Sequence, residues 1–103
     1  MNFAMARQVA EAWVLAVSGG SASIWQEKTL ALSYGWVFFY NSKEFIADPT
    51  NFSEALVGNV PILIERTNGE LRVLAPRYEE RLAQIEKDLP AACMLMKPEQ
   101  PQW

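Results

Sequence analysis

From Phe3 to Val17 the apolar residues recur at three- and four-residue steps. Phe3, Ala6, Val9, Ala10, Trp13, Ala16 and Val17 form one stripe, with Arg7, Gln8 and Glu11 opposite. That period predicts an amphipathic helix. Ser18-Gly19-Gly20-Ser21 ends it, because glycine supplies the left-handed turn a helix C-terminus needs. About fourteen helical residues span about 21 Å, enough to cross a small sheet.

Beyond the glycines the pattern changes to strands. Ile24 to Ser33 mixes β-formers with the charges Glu27 and Lys28, Tyr34-Gly35 interrupts, and Trp36-Val37-Phe38-Phe39-Tyr40 follows without a charge. Gly35 tolerates positive φ or a bulge, so the bend is placed there. Lys43 to Ala47 reads as a short helical turn closed by Asp48-Pro49. Phe52 to Val57 reads as another, capped by Ser53 and stopped by Gly58-Asn59. Pro61 opens a third strand, Ile62 to Arg66, and Asn68-Gly69 is a strong hairpin signal before a fourth, Leu71 to Ala75. Pro76 resets the backbone ahead of a helix from Arg77 to about Leu89, with Tyr78, Leu82, Ile85 and Leu89 on one stripe and Pro90 as its stop. Ala92 to Met96 either adds a short strand or lies across the sheet. The tail, residues 97–103, contains two prolines and reads as extended.

The order is helix, two strands, connection, two strands, helix. This is an α+β fold: an N-terminal helix packed on a curved four-stranded antiparallel sheet of two hairpins, then a C-terminal helix, with the helices gathered on one face. Strand side chains alternate between faces. Leu30, Leu32, Trp36, Phe38, Tyr40, Ile62, Ile64, Leu71 and Val73 make a wholly apolar or aromatic set, assigned to the face beneath the first helix. The other set mixes Thr29, Ser33, Glu65 and Arg72 with Val37, Phe39, Leu63 and Leu74. That is greasier than a sheet face in water should be. Its cover is either the second helix or the Met94-Leu95-Met96 segment, or else a partner or second copy of the chain forming a homodimer there.

Composition narrows the function. At 103 residues, half of them hydrophobic and 20% charged, residues 1–103 read as one soluble domain. The net charge of −3 argues against a general nucleic-acid binder, which should be basic, and falls short of a nucleic-acid mimic. Met1-Asn2-Phe3-Ala4 has no basic leader, and the longest uncharged run contains Ser18-Gly19-Gly20-Ser21, so neither a targeting segment nor a membrane span is expected. A single cysteine, Cys93, allows no internal disulfide, which fits a reducing cytoplasm.

Reactive chemistry is scarce. There is no histidine, hence neither the commonest general base nor the commonest metal ligand. Ser18-Gly19-Gly20-Ser21 lacks the lysine and the preceding strand of a phosphate loop. Cys93, between Ala92 and Met94, reads as a small apolar filler. Glu79, Glu80 and Glu86, interleaved with Arg77, Arg81 and Lys87, read as a solvated, salt-bridged helix face, and Glu65-Arg66 as solubilising charge beside a hairpin. No metal-ligand spacing occurs, and no cofactor is expected. Twelve aromatic residues include Trp25, Tyr40 and Trp103, which adjoin polar residues or lie near an end of the chain. With Arg66 these belong to the residue types that dominate binding hot spots.

Two segments are less generic. Tyr34-Gly35-Trp36-Val37-Phe38-Phe39-Tyr40-Asn41-Ser42-Lys43 is followed by Ala55-Leu56-Val57-Gly58-Asn59-Val60-Pro61-Ile62-Leu63-Ile64 and the Asn68-Gly69 hairpin. Over roughly Ile24 to Ala75 the chain resembles the immunity protein 35 family (YrhB-like small proteins) of bacterial polymorphic toxin systems. Leu74-Ala75-Pro76-Arg77-Tyr78-Glu79-Glu80 keeps that family's proline and acids but lacks its small glycine step. The resemblance implies a cytoplasmic protein that protects its producer by binding a co-encoded toxin. Gly35, Trp36, Phe38, Gly58, Asn59 and Pro61 carry the motif and also have structural reasons to be as they are.

The expected function is therefore a non-enzymatic inhibitor that occludes a toxin's active site or substrate channel. The expected contact surface is Phe39, Tyr40, Asn41, Lys43 and Glu44 with Arg66 from the neighbouring hairpin. A small chaperone holding unfolded chains on the second sheet face is the alternative. An enzyme would have to rest on carboxylates alone.

Overall fold

The computed structural model describes residues 1–56 and 59–103. Helix α1, Phe3–Ser18, begins at Asn2, whose side chain accepts from the Met5 N–H at 2.9 Å. It ends at Gly19, left-handed at φ 63°. Its buried residues are Phe3, Ala6, Ala10 and Val14. Steps of four lead from there to Ser18, whose hydroxyl bonds back to the Val14 carbonyl at 2.6 Å. Ala16 and Val17, expected on the stripe, therefore face solvent, and Val14 takes their place in the core.

The expected strand Ile24 to Ser33 is broken in two. Strand β1, Ala22–Ile24, is followed by a 3-10 turn, Gln26–Lys28, and then by β2, Leu30–Leu32. Opposite them run β3, Gly35–Phe38, and β4, Tyr40–Ser42. β1 pairs antiparallel with β4 as a separate two-stranded sheet, while β2 pairs with β3. Five residues intervene between Ile24 and Leu30 but only Phe38 and Phe39 between their partners Val37 and Tyr40. The surplus is taken up by the 3-10 turn, and the Trp25 N–H to Phe39 carbonyl bond of 2.7 Å closes the step.

Next come helix α2, Lys43–Ala47, and a 3-10 turn, Phe52–Glu54. Ser53, expected to cap a helix over residues 52–57, instead donates its hydroxyl to the Asn51 side chain at 2.8 Å, and the turn stops at Glu54. Gly58 lies outside the described residues. Strands β5, Ile62–Glu65, and β6, Leu71–Val73, complete an antiparallel sheet of order β2-β3-β5-β6, joined through Gly69 at φ 69°. Helix α3, Tyr78–Asp88, follows, and Ala91–Met94 forms a short helix, α4, rather than a strand. The fold is α+β.

Helices cover both faces of the sheet, not one. Phe3, Ala6, Ala10 and Val14 of α1 pack with Ala22, Ile24, Trp36, Phe38, Ile62 and Ile64. On the other side Leu82 and Ile85 of α3 pack with Tyr34, Val37, Leu63 and Leu74. Cys93 is a half-buried apolar filler at the margin of that second layer. Leu30 and Leu32 belong to this face, contrary to the expected set, because a two-residue turn at Ser33-Tyr34 pairs Leu30 with Val37 and Ala31 with Trp36. Paired residues share a face, so counting by twos through the turn inverts the assignment.

The turn also corrects the role of Gly35. It does not bend the chain at positive φ. Its place in β3 is set by the adjoining strand: a Cβ there would collide with the Ile64 carbonyl oxygen and stand 3.2 Å from the Glu65 Cα. Only glycine permits that approach.

Glu65 does not solubilise the hairpin. It is 3% exposed, and its carboxylate accepts from Arg72 Nε at 2.7 Å. That bond, with further attraction from Glu65, Glu70 and Asp88, raises the Arg72 pKa against some loss of solvation.

Candidate interaction surface

Among the described residues no group of three or more Cys, Asp or Glu side chains could hold a metal ion. The charged face of α3 is occupied by local partners: Arg77 with Glu80 at 3.1 Å and Arg81 with Gln84 at 3.3 Å. Glu86 turns inward and accepts from the buried Tyr34 hydroxyl at 2.8 Å. Burial, reinforced by that carboxylate, holds the Tyr34 phenol well above its ordinary 10.0.

Phe39, Tyr40, Asn41, Lys43, Glu44 and Arg66, the expected contact residues, do not form one surface. Phe39 packs into the α3 layer, edge-on to Tyr78 at 5.2 Å. Tyr40 is half-buried, edge-on to Trp13 at 5.6 Å. Burial raises its phenol pKa, against a backbone bond from Val60. Asn41 is a clamp, its side-chain oxygen accepting from the N–H groups of Ser42 and Leu56, each at 2.8 Å. Asn59 donates to the Tyr40 carbonyl at 2.6 Å, and the Pro61 carbonyl accepts from Leu74. Trp36 and Phe38 are fully buried. Arg66 pairs its N–H with the Tyr34 carbonyl and its guanidinium with the Lys97 carbonyl. That places it at the far end of β3, about 20 Å of strand from Tyr40. Only Lys43 and Glu44 lie side by side and exposed, on α2.

What surrounds α2 was not legible as a surface. The buried Ser42 caps the helix by accepting from the Phe45 N–H at 3.1 Å, and it donates its hydroxyl to the Glu54 carbonyl. At the other end Asp48 accepts from the Thr50 hydroxyl at 2.6 Å and the Thr50 N–H at 3.2 Å. These bonds hold its carboxyl below the usual range. Five residues make no stable helix alone, so these polar bonds and the packing beneath set α2 in place.

They present a chain of aromatic rings. Trp25 stands edge-on to Phe45 at 5.6 Å, and Phe45 meets Phe52 at 6.3 Å. Lys28 lies over Trp25, its ammonium 4.2 Å from the ring centroid. Phe52 is 78% exposed. Glu44, Asp48 and Glu54, on α2 and the turns that follow it, are all exposed. Trp25 was recognisable in advance as an aromatic beside polar residues. Phe45 follows Glu44 and Phe52 lies between Asn51 and Ser53, the same local signal, but each sits in a short turn with no period to show which way its ring faces.

Beside this chain lies a cleft of about 400 Å³, lined by Glu11, Trp25, Glu27, Ile46 and Trp103 among others. Trp103 is fixed there by the tail. Its ring stands edge-on to Phe3 at 5.0 Å, and its carbonyl accepts from Arg7 at 3.0 Å. The tail is further tied by Glu99, whose side chain accepts from the Phe3 N–H at 2.7 Å and whose carbonyl accepts from the Trp36 indole at 2.8 Å.

No curated protein and no solved structure matches this chain. Comparison with protein families does find a match, to the family described as Immunity protein 35, over residues 4–92. It extends beyond the Ile24 to Ala75 motif region to take in all but the first residue of α1, both sheets and the whole of α3. A match of that extent means that the chain belongs to the Immunity protein 35 family.

Proposed function

We propose that this protein is a non-enzymatic immunity protein of a bacterial polymorphic toxin system, and that it neutralises a cognate toxin in the producer's cytoplasm. Family membership supports the immunity role. The observation that carries the mechanism is the ring chain Trp25-Phe45-Phe52, ending on a phenylalanine that its own fold leaves 78% exposed. Inhibition of this kind needs no reactive group. It needs aromatic anchors, a polar rim and an interface of roughly 1,600 Å² in total laid over the toxin's active site or substrate channel. The clamps at Asn41, Ser42 and Asp48 hold the anchors in place before binding, which limits the ordering cost of association.

A holdase working through the second sheet face has no supporting observation, since Val37, Leu63 and Leu74 are fully buried beneath the α3 layer. A homodimer through that face would likewise require α3 to leave. Among the described residues no helix is long and apolar enough to cross a membrane.

The test is calorimetric titration of the toxin domain encoded beside this gene, using the intact protein and its Phe52→Asp and Arg66→Ala variants. A tight one-to-one complex, weakened at least about 30-fold by Phe52→Asp and unchanged by Arg66→Ala, is expected. Absence of a complex rejects the immunity reading. An unaltered affinity in folded Phe52→Asp rejects the α2 surface.

A further inference from the structure

We propose that the outer edge of β2 is a self-association surface, where two copies of this chain join their four-stranded sheets edge to edge about a two-fold axis. This goes beyond toxin binding and does not depend on it. β2 and β6 are the two edges of that sheet, and they are finished differently. β6 carries Arg72 at its centre, tied to Glu65 at 2.7 Å and to Glu70 at 3.5 Å. Charges of this kind protect an edge strand, since two copies pairing there would set arginine against arginine. The β2 segment Thr29-Leu30-Ala31-Leu32-Ser33 contains neither a charge nor a proline.

The free backbone groups of β2 follow from the pairing. The Tyr34 carbonyl accepts from the Arg66 N–H and so points toward β5. The N–H of Gly35, on the other side of the same peptide, therefore points toward β2. Backbone groups alternate between the two neighbours along a strand, so Trp36 turns its own toward β5. Ala31, opposite Trp36, directs both its N–H and its C=O away from the sheet, and neither has a backbone partner among the described residues.

The sequence of the strand selects a second copy of this chain as the occupant. Thr29-Leu30-Ala31-Leu32-Ser33 reads nearly the same in both directions about Ala31. In an antiparallel pairing centred there, the two Ala31 residues exchange both N–H to C=O bonds. Leu30, 38% exposed, then meets the partner's Leu32 on the α3 face, and Thr29 stands opposite the partner's Ser33. Apolar faces apolar and hydroxyl faces hydroxyl, which is the self-complementarity a two-fold interface requires. Thr29 adds a second observation. It is extended, at φ −60° and ψ 132°, and its hydroxyl oxygen is shielded from water without a hydrogen-bond partner. Thr–Ser pairs across a ladder are favourable. An edge this short buries less than a standard interface, so the dimer is weak, with a dissociation constant on the order of 100 µM.

The experiment combines sedimentation equilibrium of the full chain with amide exchange by NMR, from about 20 µM to about 1 mM. A reversible dimer is expected, and exchange at the Ala31 amide should slow about fivefold across that range, with no matching change along β6. Ala31→Pro removes only an N–H that the monomer leaves unused, and should weaken pairing at least about tenfold. Leu30→Lys, which sets an ammonium against the partner's Leu32, should weaken it as much. A chain that stays monomeric to about 1 mM, a dimer of unchanged affinity in either folded variant, or slowed amides lying outside β2 overturns the proposal. So does loss of the dimer in Phe52→Ala, which would move self-association to the α2 corner. An Ala31 amide protected only when the toxin is added also overturns it, since the edge would then belong to a strand of the toxin.

Discussion

The four-stranded sheet and the corner built from β1, β4 and α2 use aromatic residues in opposite ways. In the sheet, Trp36 and Phe38 are wholly buried, and even the indole N–H has a partner in the Glu99 carbonyl. At the corner, Trp25 and Phe45 are half-buried and Phe52 stands in solvent. The sheet is sealed by helices on both faces, so its apolar area contributes to stability. The corner is held largely by polar clamps from Asn41, Ser42 and Asp48, which leaves apolar area uncovered. The proposed inhibitory role would use both: a rigid body that does not rearrange, and a fixed apolar surface that is not yet covered.

The contrast is tested most severely at the ion pair of the sheet, between buried Glu65 and half-buried Arg72. Arg72→Met should cost about 3 kcal/mol in urea unfolding, because Glu65 would be left charged and buried without its partner. Adding Glu65→Leu should recover most of that loss. A cost under about 1 kcal/mol would mean the sheet margin is as open as the corner. Nearly as large is the effect expected of Gly35→Ala, roughly 2–3 kcal/mol, since the new methyl meets the backbone of β5 rather than a movable side chain.

Phe52→Ala should show the reverse pattern. Its effect on the unfolding free energy measured in urea should stay within about 0.5 kcal/mol, as for an ordinary surface position, while toxin affinity falls by about 2 kcal/mol. Equal losses in folding and binding would erase the distinction between body and corner. The smallest effect is pH-dependent. Tyr34 has a folded-state phenol pKa raised above 10.0, first by burial and then by Glu86. The stability linked to that neutral phenol is fully present below pH 10 and is lost as pH rises toward the higher folded-state value. Tyr34→Phe should therefore cost about 1 kcal/mol at pH 7 and progressively less by pH 11, measured by urea unfolding at both values.

Much of the fold can be read directly from the chain. The helix stripe beginning at Phe3, the Asn68-Gly69 hairpin and the helix between Pro76 and Pro90 all appear near their expected places. Each is governed by residues close in sequence. Less of the proposed interaction surface was readable. Lys43 and Glu44 are exposed, but Phe39 and Tyr40 turn into packed layers, Asn41 clamps a loop, and Arg66 lies at the opposite end of the sheet. Adjacency along a strand says nothing of which neighbour covers which face.

The chain by itself determined the alternation of elements, the lack of histidine chemistry and the motif of its family, because period, composition and turn residues are local properties. Only the tertiary structure decided the rest. The 3-10 turn after β1 splits one expected hairpin into two sheets, and the Ser33-Tyr34 turn transfers Leu30 and Leu32 to the α3 face. Glu99 closes α1 and Trp36 from more than sixty residues away. Phe52 is left open by the ending of a short turn. These are consequences of strand pairing and of contacts between distant segments, where a shift of one residue exchanges the buried face for the exposed one.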